Sequence, residues 1–300
     1  MNTLAKLVLI TAGLLLSTTS VAQSEAQSAD DELKIAALEA LMTAPPDRAL
    51  PLVNKVLDGN HSDDVKERAL FILSQIDAPE AQSTLLRFAR DESGDLQAEA
   101  IRMIGISGNQ ESLTNLTEIY QAANRDTRDA ILEAYLIAGD KRAVYEIAAN
   151  ADNEEDFEEA VEILGAMGAR DELRELRSRA GMSGSLVNAY AMSGDIETLR
   201  ELAVDGSNVA LQAQAIEAMG IVGGDDVDAT LVEIYRNADS DEIREAALEG
   251  LLISGHDAGL LELYRSSEDP AEKRELLEYL VMMGSDDVWT IIDSALAGDQ

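Results

Sequence analysis

Glycine residues spaced about 30 positions apart constrain the fold of this chain more than any other feature. Each one follows an amphipathic segment of helical periodicity and precedes a second, shorter segment. The glycines are Gly108, Gly139, Gly168, Gly194, Gly223, Gly255 and Gly284, and Pro45 and Asp77 hold the same place in two earlier segments. Glycine ends helices readily because it adopts positive φ without steric cost. The near-constant period therefore predicts stacked helix pairs, each burying its apolar face against its neighbours.

The apolar positions of the longer segments keep one register relative to these turns. The residues seven and four positions before each turn are bulky and apolar, as Leu248 and Leu251 are before Gly255. The residue eight positions before the turn is alanine or another apolar residue, as at Ala247. Because these positions share one face of a helix, we expect them to form the core. The small residue would also let a neighbouring helix approach closely.

The starts of the longer helices carry a further pattern. An acidic residue precedes an aliphatic–basic pair, and alanine follows three residues later, as in Val65–Lys66 with Ala69 and Ile243–Arg244 with Ala247. In this pattern the chain resembles the HEAT-repeat family. The resemblance implies an all-α fold, namely a right-handed α-solenoid of about nine antiparallel helix pairs with the longer helices on the concave side. Tetratricopeptide arrays have a period of about 34 residues and an aromatic pattern that is not found here.

The N-terminal residues have the features of a secretory signal peptide. Lys6 supplies a cation, residues 7–16 form an apolar run, and small residues lead up to Ala22, which predicts cleavage after Ala22. The run is too short to span a bilayer, which takes about 20 residues. We therefore expect a periplasmic or secreted protein with a signal peptide over residues 1–22, a disordered spacer over 23–30 and the solenoid over 31–297.

Two places depart from the regular repeat. Gly181 to Ser185 replace the first turns of a longer helix, which predicts a shortened helix over Leu186–Met192 and a degenerate repeat near 181–194. This break is either a hinge or harmless decay of the repeat. The last predicted helix contains Trp289, and we expect that helix to cap the stack, with Trp289 either covering the last core layer or partly exposed.

The composition narrows the classes of partner and chemistry. With 58 acidic and 23 basic residues, the net charge is −35, so nucleic acid is a poor partner and a basic protein or peptide is a better one. Solubility or adaptation to salt explains the same charge. The chain has no cysteine, and its only histidines, His61 and His256, lie in different turns. No catalytic constellation, metal-site motif or cofactor-binding motif is apparent, so we predict none of the three.

The candidate binding surface is the position six residues before each turn, which lies opposite the core face of its helix. In chain order this position holds Glu39, Phe71, Arg102, Glu133, Glu162, Asn188, Glu217, Glu249 and Glu278. Four residues further on, the chain has Ile106, Ile137, Met192, Ile221, Ile253 and Met282. An acidic row beside an apolar row suits a basic amphipathic segment. Alternatively, the glutamates are ordinary surface residues and the aliphatic residues pack under the connection to the next helix.

Three functions follow as hypotheses. The first is an exported, non-enzymatic scaffold that binds a protein or peptide through Glu133, Glu162, Glu217, Glu249, Glu278 and the adjoining Ile137, Ile221, Ile253 and Met282. The second comes from the resemblance, because some proteins with similar repeats are bilin-attachment lyases or hydroxylases. It requires an enclosed pocket near the degenerate repeat. The third is an acidic cation-binding or salt-adapted structural protein.

Overall fold

The structure, a computed structural model, describes residues 28–180, 183–284 and 286–297. These residues form eighteen α-helices and one short 3-10 helix, and they contain no strand. The chain is thus an all-α solenoid, as the repeat predicts. The predicted signal peptide over 1–22 lies outside the described residues, as do residues 23–27 of the predicted spacer. Residues 28–30 of that spacer are helical rather than disordered, because the first amphipathic helix already includes them.

The helices alternate between two rows. The odd helices are α1 (residues 28–40), α3 (Asp63–Ser74), α5 (Asp95–Ser107), α7 (Arg125–Ala138), α9 (Glu154–Ala166), α11 (Gly184–Ser193), α13 (Val209–Val222), α15 (Asp241–Ser254) and α17 (Pro270–Met283). The even helices are α2 (Pro46–Leu57), α4 (Pro79–Asp91), α6 (Gln110–Ala122), α8 (Lys141–Asn150), α10 (Arg170–Ala180), α12 (Ile196–Ala203), α14 (Asp225–Asn237), α16 (Ala258–Ser266) and α18 (Asp286–Ala297). The 3-10 turn Leu41–Thr43 follows α1.

The helices divide into two compact units, one before and one after the Asp140–Lys141 bond. The first unit contains α1 to α7 and the second contains α8 to α18. Within each unit, every even helix packs against the odd helix that follows it. From α3 onward, neighbouring odd helices of a unit also pack side by side. Among the described residues, α18 is the one even helix that no odd helix follows.

The turns and the core follow the predicted register. All seven turn glycines have φ between 63° and 76°. The residues eight, seven and four positions before these seven glycines are buried, with the exception of the half-buried Leu277 in α17. Side chains also cap the odd helices, because Asn124, Asn153 and Ser240 each accept a hydrogen bond from the backbone N–H three residues later. The predicted core is therefore confirmed.

Small residues inside the odd helices set how closely neighbouring odd helices approach. A Cβ atom added to Gly220 would collide with the carbonyl oxygen of Gly250 in the next odd helix. One added to Gly105 would lie 2.6 Å from the carbonyl oxygen of Ala134. Gly105 and Gly220 each lie three positions before a turn, and their partners lie five positions before the next turn. These backbone contacts occur at positions other than the predicted small position eight residues before the turn, although that position is buried too.

The degenerate repeat contains the shortest odd helix. Helix α11 has 10 residues, which confirms the predicted shortening, although it begins at Gly184 rather than at Leu186. The side chain of Gln214 in α13 donates hydrogen bonds to the carbonyl oxygen of Gly184 and to Asn188 Oδ1, at 3.2 and 3.3 Å, and these contacts hold the start of α11. Residues 181 and 182 lie outside the described residues, and the proposed hinge stays a prediction.

Candidate functional site

The predicted binding residues lie on a solvent-exposed side of the odd helices. Glu133, Glu162 and Glu278 are exposed, whereas Glu217 and Glu249 are half-buried. The aliphatic residues of the predicted surface are exposed to the extent of 43% for Ile137, 60% for Ile221, 50% for Ile253 and 62% for Met282. These side chains are therefore only partly covered by the rest of the protein.

The corresponding side of the first unit is partly neutralised by arginine. Arg68 forms an ion pair with Glu39 at 2.5 Å, and Arg102 forms one with Glu99 at 2.7 Å. Arg102 itself occupies a position in the glutamate row. Glu133 and Ile137 belong to this unit, so they lie on a surface of mixed charge.

The odd helices of the second unit carry many acidic residues and few basic residues. Helices α9, α11 and α13 contain no lysine or arginine. Helix α9 alone carries Glu154, Glu155, Asp156, Glu158, Glu159 and Glu162. The odd helices of this unit contribute only Arg244, Lys273 and Arg274 as basic residues, and all three lie in α15 and α17.

The even helices of the second unit hold its remaining basic residues, and most of these form ion pairs. The pairs that join one even helix to the next are Arg142–Glu175 at 3.4 Å, Arg174–Glu197 at 3.3 Å, Arg177–Glu201 at 3.1 Å, Arg236–Glu262 at 2.9 Å and Arg265–Asp287 at 3.1 Å. We call this row the arginine ladder. The sequence does not reveal these ion pairs, because the two residues of each pair lie about one repeat apart in the chain. The cations of this unit are thus concentrated on the even helices, whereas both sets of helices carry acidic residues.

The close contact between α13 and α15 brings two predicted residues together. The carboxyl groups of Glu217 and Glu249 lie close enough to influence each other electrostatically. Burial, followed by the negative charge of Glu249 and then by that of Glu245, raises the pKa of Glu217. Burial, together with the charges of Glu249 and Glu245, also raises the pKa of Tyr279. Glu245 and Tyr279 therefore lie near Glu217 and Glu249, although neither belongs to the predicted row.

Glu278 lies apart from this pair, at the edge of a polar cleft. The cleft has a volume of about 840 Å³ and is lined by Tyr235, Arg236, Arg244, Asp269, Ala271, Glu272, Arg274, Glu275 and Glu278. Helix α15 packs on α17 less extensively than on α13. Leu252 and Tyr279 occupy the register positions at which the closely packed α13 and α15 have Gly220 and Gly250. The glutamate row is therefore not uniform: Glu217 faces another carboxyl group, whereas Glu278 lines a cleft that contains arginines.

Two smaller clefts flank the degenerate repeat. One, of about 220 Å³, is lined by Arg177, Leu202, Asp205, Ser207, Asn208, Leu211 and Gln212. The other, of about 460 Å³, is lined by Ala148, Ala149, Ala151, Asp152, Asn153, Glu154, Phe157, Leu176 and Ser183. Both clefts are open to solvent, so neither is the enclosed pocket that the enzyme hypothesis requires. That pocket stays a prediction. Within the described ranges, no group of histidine, aspartate or glutamate residues is arranged to hold a metal ion.

Replacing Glu217 with glutamine is expected to stabilise the protein at neutral pH by about 0.5 kcal/mol, the size typical of a partly exposed charge pair. Since the folded-state pKa of Glu217 is raised, its contribution to stability is complete below the unfolded pKa of about 4.3 and is lost as pH rises through the folded pKa. The gain in E217Q should therefore shrink as pH is lowered towards 4. Urea unfolding across this pH range measures it. A gain that is independent of pH, or an equal gain in E162Q at the exposed Glu162, would contradict the explanation.

A family model supports the repeat assignment, because residues 55–136 match the model described as HEAT repeats. A search of curated proteins found no significant match. Among solved structures, the complex of CpcE and CpcF of phycocyanin lyase from Nostoc sp. PCC7120 shares 17% identity, with 78% of this chain and 94% of that chain covered and a TM-score of 0.33. Within the described part of the chain, no helix is long and apolar enough to cross a membrane.

Proposed function

We propose that this chain, a HEAT-like repeat protein, is an exported non-enzymatic scaffold that binds a basic protein or peptide on the odd-helix side of its second unit. The observation that carries the proposal is the segregation of cations in this unit. Nine of its twelve lysine and arginine residues lie on the even helices, whereas α9, α11 and α13 carry no cation. A basic segment is attracted to the odd helices because few cations there compete for the carboxylates.

The centre of the proposed surface is the pair of Glu217 and Glu249. The negative charge of Glu249 disfavours ionisation of Glu217. A lysine or arginine side chain of a partner would relieve this repulsion. Binding of such a cation is then expected to lower the pKa of Glu217.

The exposed aliphatic residues supply the apolar part of the surface. Ile221 follows Glu217 by four residues, and Ile253 follows Glu249 by four residues, so each aliphatic residue lies about one helical turn beyond its glutamate. The acidic and apolar rows thus run side by side across α13 and α15. An amphipathic partner segment with basic and apolar residues on adjacent faces fits both rows.

The proposed location is the periplasm of a Gram-negative bacterium or the extracellular medium. It rests on the charged, apolar and small-residue order of residues 1–22. Sequencing the N-terminus of the protein purified from its native host would test the location. A mature N-terminus at Gln23 supports export, whereas retention of residues 1–22 in a cytoplasmic fraction would refute it.

Reversing the charge of both central glutamates, in E217K/E249K, is expected to abolish capture of the partner. Loss of two carboxylates and gain of two ammonium groups turns attraction of a basic segment into repulsion. The measurement is affinity capture from envelope extracts with purified wild-type and variant protein, followed by quantification of the captured proteins. The wild-type captures should weaken between low and high salt, because screening reduces attraction between exposed charges.

The matched control is E92K/E233K, which produces the same change in net charge at exposed sites outside the odd helices. This variant should capture the partner about as well as the wild type. Circular dichroism of both variants checks that the fold is kept. If folded E217K/E249K retains full capture, the proposed surface is wrong. If both variants lose capture equally, overall charge rather than this surface governs binding.

A further inference from the structure

The outer face of α18 is an apolar surface that nothing covers among the described residues. Trp289 is 65% exposed and Leu296 is 82% exposed, whereas the adjacent Val288 is buried. Ile292 and Leu296 follow Trp289 by three and seven residues, so the three share one face of the helix. Of the two alternatives for Trp289, partial exposure is confirmed.

This face corresponds to the interior face of the earlier even helices. Counted from the preceding turn glycine, Trp289, Ile292 and Leu296 occupy the fifth, eighth and twelfth positions. In α6 these positions hold Leu113, Leu116 and Tyr120, and in α14 they hold Asp228, Leu231 and Tyr235, all of which are buried. Both α6 and α14 pack against the odd helix that follows them. Helix α18 therefore keeps three large apolar residues at positions that are buried in α6 and α14.

We propose that this face binds an amphipathic helix with basic flanks, supplied by a partner protein, in the place that an odd helix occupies in the earlier repeats. This inference is independent of the surface around Glu217 and Glu249. The apolar residues indicate that the partner segment is an amphipathic helix, because a helix that packs on an even helix presents an apolar stripe.

The charge around the face identifies the partner as basic. Within residues 286–297, α18 carries Asp286, Asp287 and Asp293 and no cation. The guanidinium of Arg265 in α16 is already paired with Asp287 at 3.1 Å. In a two-fold dimer the same face meets itself, so a second copy of this chain would bring like charges together. A helix flanked by lysine or arginine would instead be attracted to Asp286 and Asp293.

Fluorescence of Trp289 tests the proposal directly, because it is the only tryptophan in the chain. The probe is a synthetic peptide with the sequence Ser240–Gly255, the odd helix that follows α14, in which Asp241, Glu242, Glu245 and Glu249 are replaced by lysine. Its addition is expected to shift the emission of Trp289 to shorter wavelength and to protect the indole from acrylamide. The unmodified acidic peptide should cause little change. Binding of the probe elsewhere on the protein would not alter this emission.

The variant L296D keeps Trp289 as the fluorescent reporter and should fold normally, because Leu296 is exposed. It should bind the lysine peptide about tenfold more weakly, because it places a charge on the apolar face. The control V204D makes the same kind of change at Val204, which is 75% exposed outside α18, and should bind like the wild type. An emission shift on raising the protein concentration without peptide would identify a second copy as the occupant and overturn the proposal. Emission typical of a buried indole at the lowest concentration, or no response to the lysine peptide, would overturn it as well.

Discussion

Replacing Gly220 with alanine is expected to destabilise the second unit by about 3 kcal/mol, an effect at the upper end of those caused by overpacking. In an open helix the same change would stabilise the protein, because glycine costs about 1 kcal/mol relative to alanine in a helix interior. Here the added Cβ would collide with the carbonyl oxygen of Gly250. That oxygen belongs to a helix backbone and cannot rotate away, so α13 and α15 must separate. Urea unfolding followed by circular dichroism measures the loss.

A series of glycine variants checks this steric explanation. At Gly250 an added Cβ would lie 3.0 Å from the carbonyl oxygen of Ile216, a milder contact, so G250A should cost less than G220A. Gly206 has no atom within 4 Å of an added Cβ, and G206A should leave stability almost unchanged. Equal effects of G220A and G206A would show that contact between α13 and α15 is not the cause.

The same variant links the packing to the proposed surface. Separation of α13 and α15 moves Glu217 away from Glu249, so the mutual repulsion of their carboxyl groups weakens. The pKa of Glu217 in G220A should therefore fall towards its ordinary value, which carboxyl NMR titration would detect. Because solenoid repeats are stabilised by their nearest neighbours, unfolding of this variant is also expected to lose cooperativity.

Replacing Arg174 with methionine is expected to destabilise the second unit by about 2 kcal/mol. Arg174 forms two hydrogen bonds, of 2.7 and 2.5 Å, to the carboxylate of Asp195, whose side chain is 1% exposed. The variant leaves a buried carboxylate that accepts hydrogen bonds only from Thr198. Breaking a fully buried pair typically costs about 3–5 kcal/mol. The lower figure expected here allows for Arg174, which is 41% exposed and partly screened by solvent.

The pH dependence of this loss has a defined sign. Burial is the largest single influence on Asp195 and opposes its ionisation, but the hydrogen bonds from Arg174 and Thr198 together outweigh it, so the pKa of Asp195 is lowered. A group with a lowered pKa contributes stability above its unfolded pKa of about 3.9 and loses it as pH falls through the folded value. The difference between the wild type and R174M should therefore be largest near neutral pH and shrink in acid.

Arg177 provides the matched control on the same helix. It pairs with Glu201 at 3.1 Å, but both side chains are at least one-third exposed. The variant R177M should lose no more than about 0.5 kcal/mol, because exposed ion pairs contribute little. If R177M and R174M lose equal stability, the buried carboxylate of Asp195 is not the source of the effect. Thermal unfolding at several pH values distinguishes the two outcomes.

Sequence analysis predicted the repeat and the core well because both depend on local rules. The turn glycines mark helix ends through their backbone conformation, and Leu248 and Leu251 mark a core face through helical periodicity. The same periodicity correctly placed Ile221 and Ile253 away from the core. It did not show whether a neighbouring helix covers them, because that depends on distances between helices. Their binding role stays a prediction.

The sequence by itself determined that this protein is an all-α solenoid, where its helices turn, and which face of each helix forms the core. Only the tertiary structure decided that Gly220 meets Gly250, that the charge of Glu249 acts on Glu217, and that Asp195 is buried beneath Arg174. Helical periodicity fixes the direction of a side chain relative to its own helix axis. The separation and rotation of adjacent helices arise from packing between residues that lie a whole repeat apart, so they become visible only once the chain is folded.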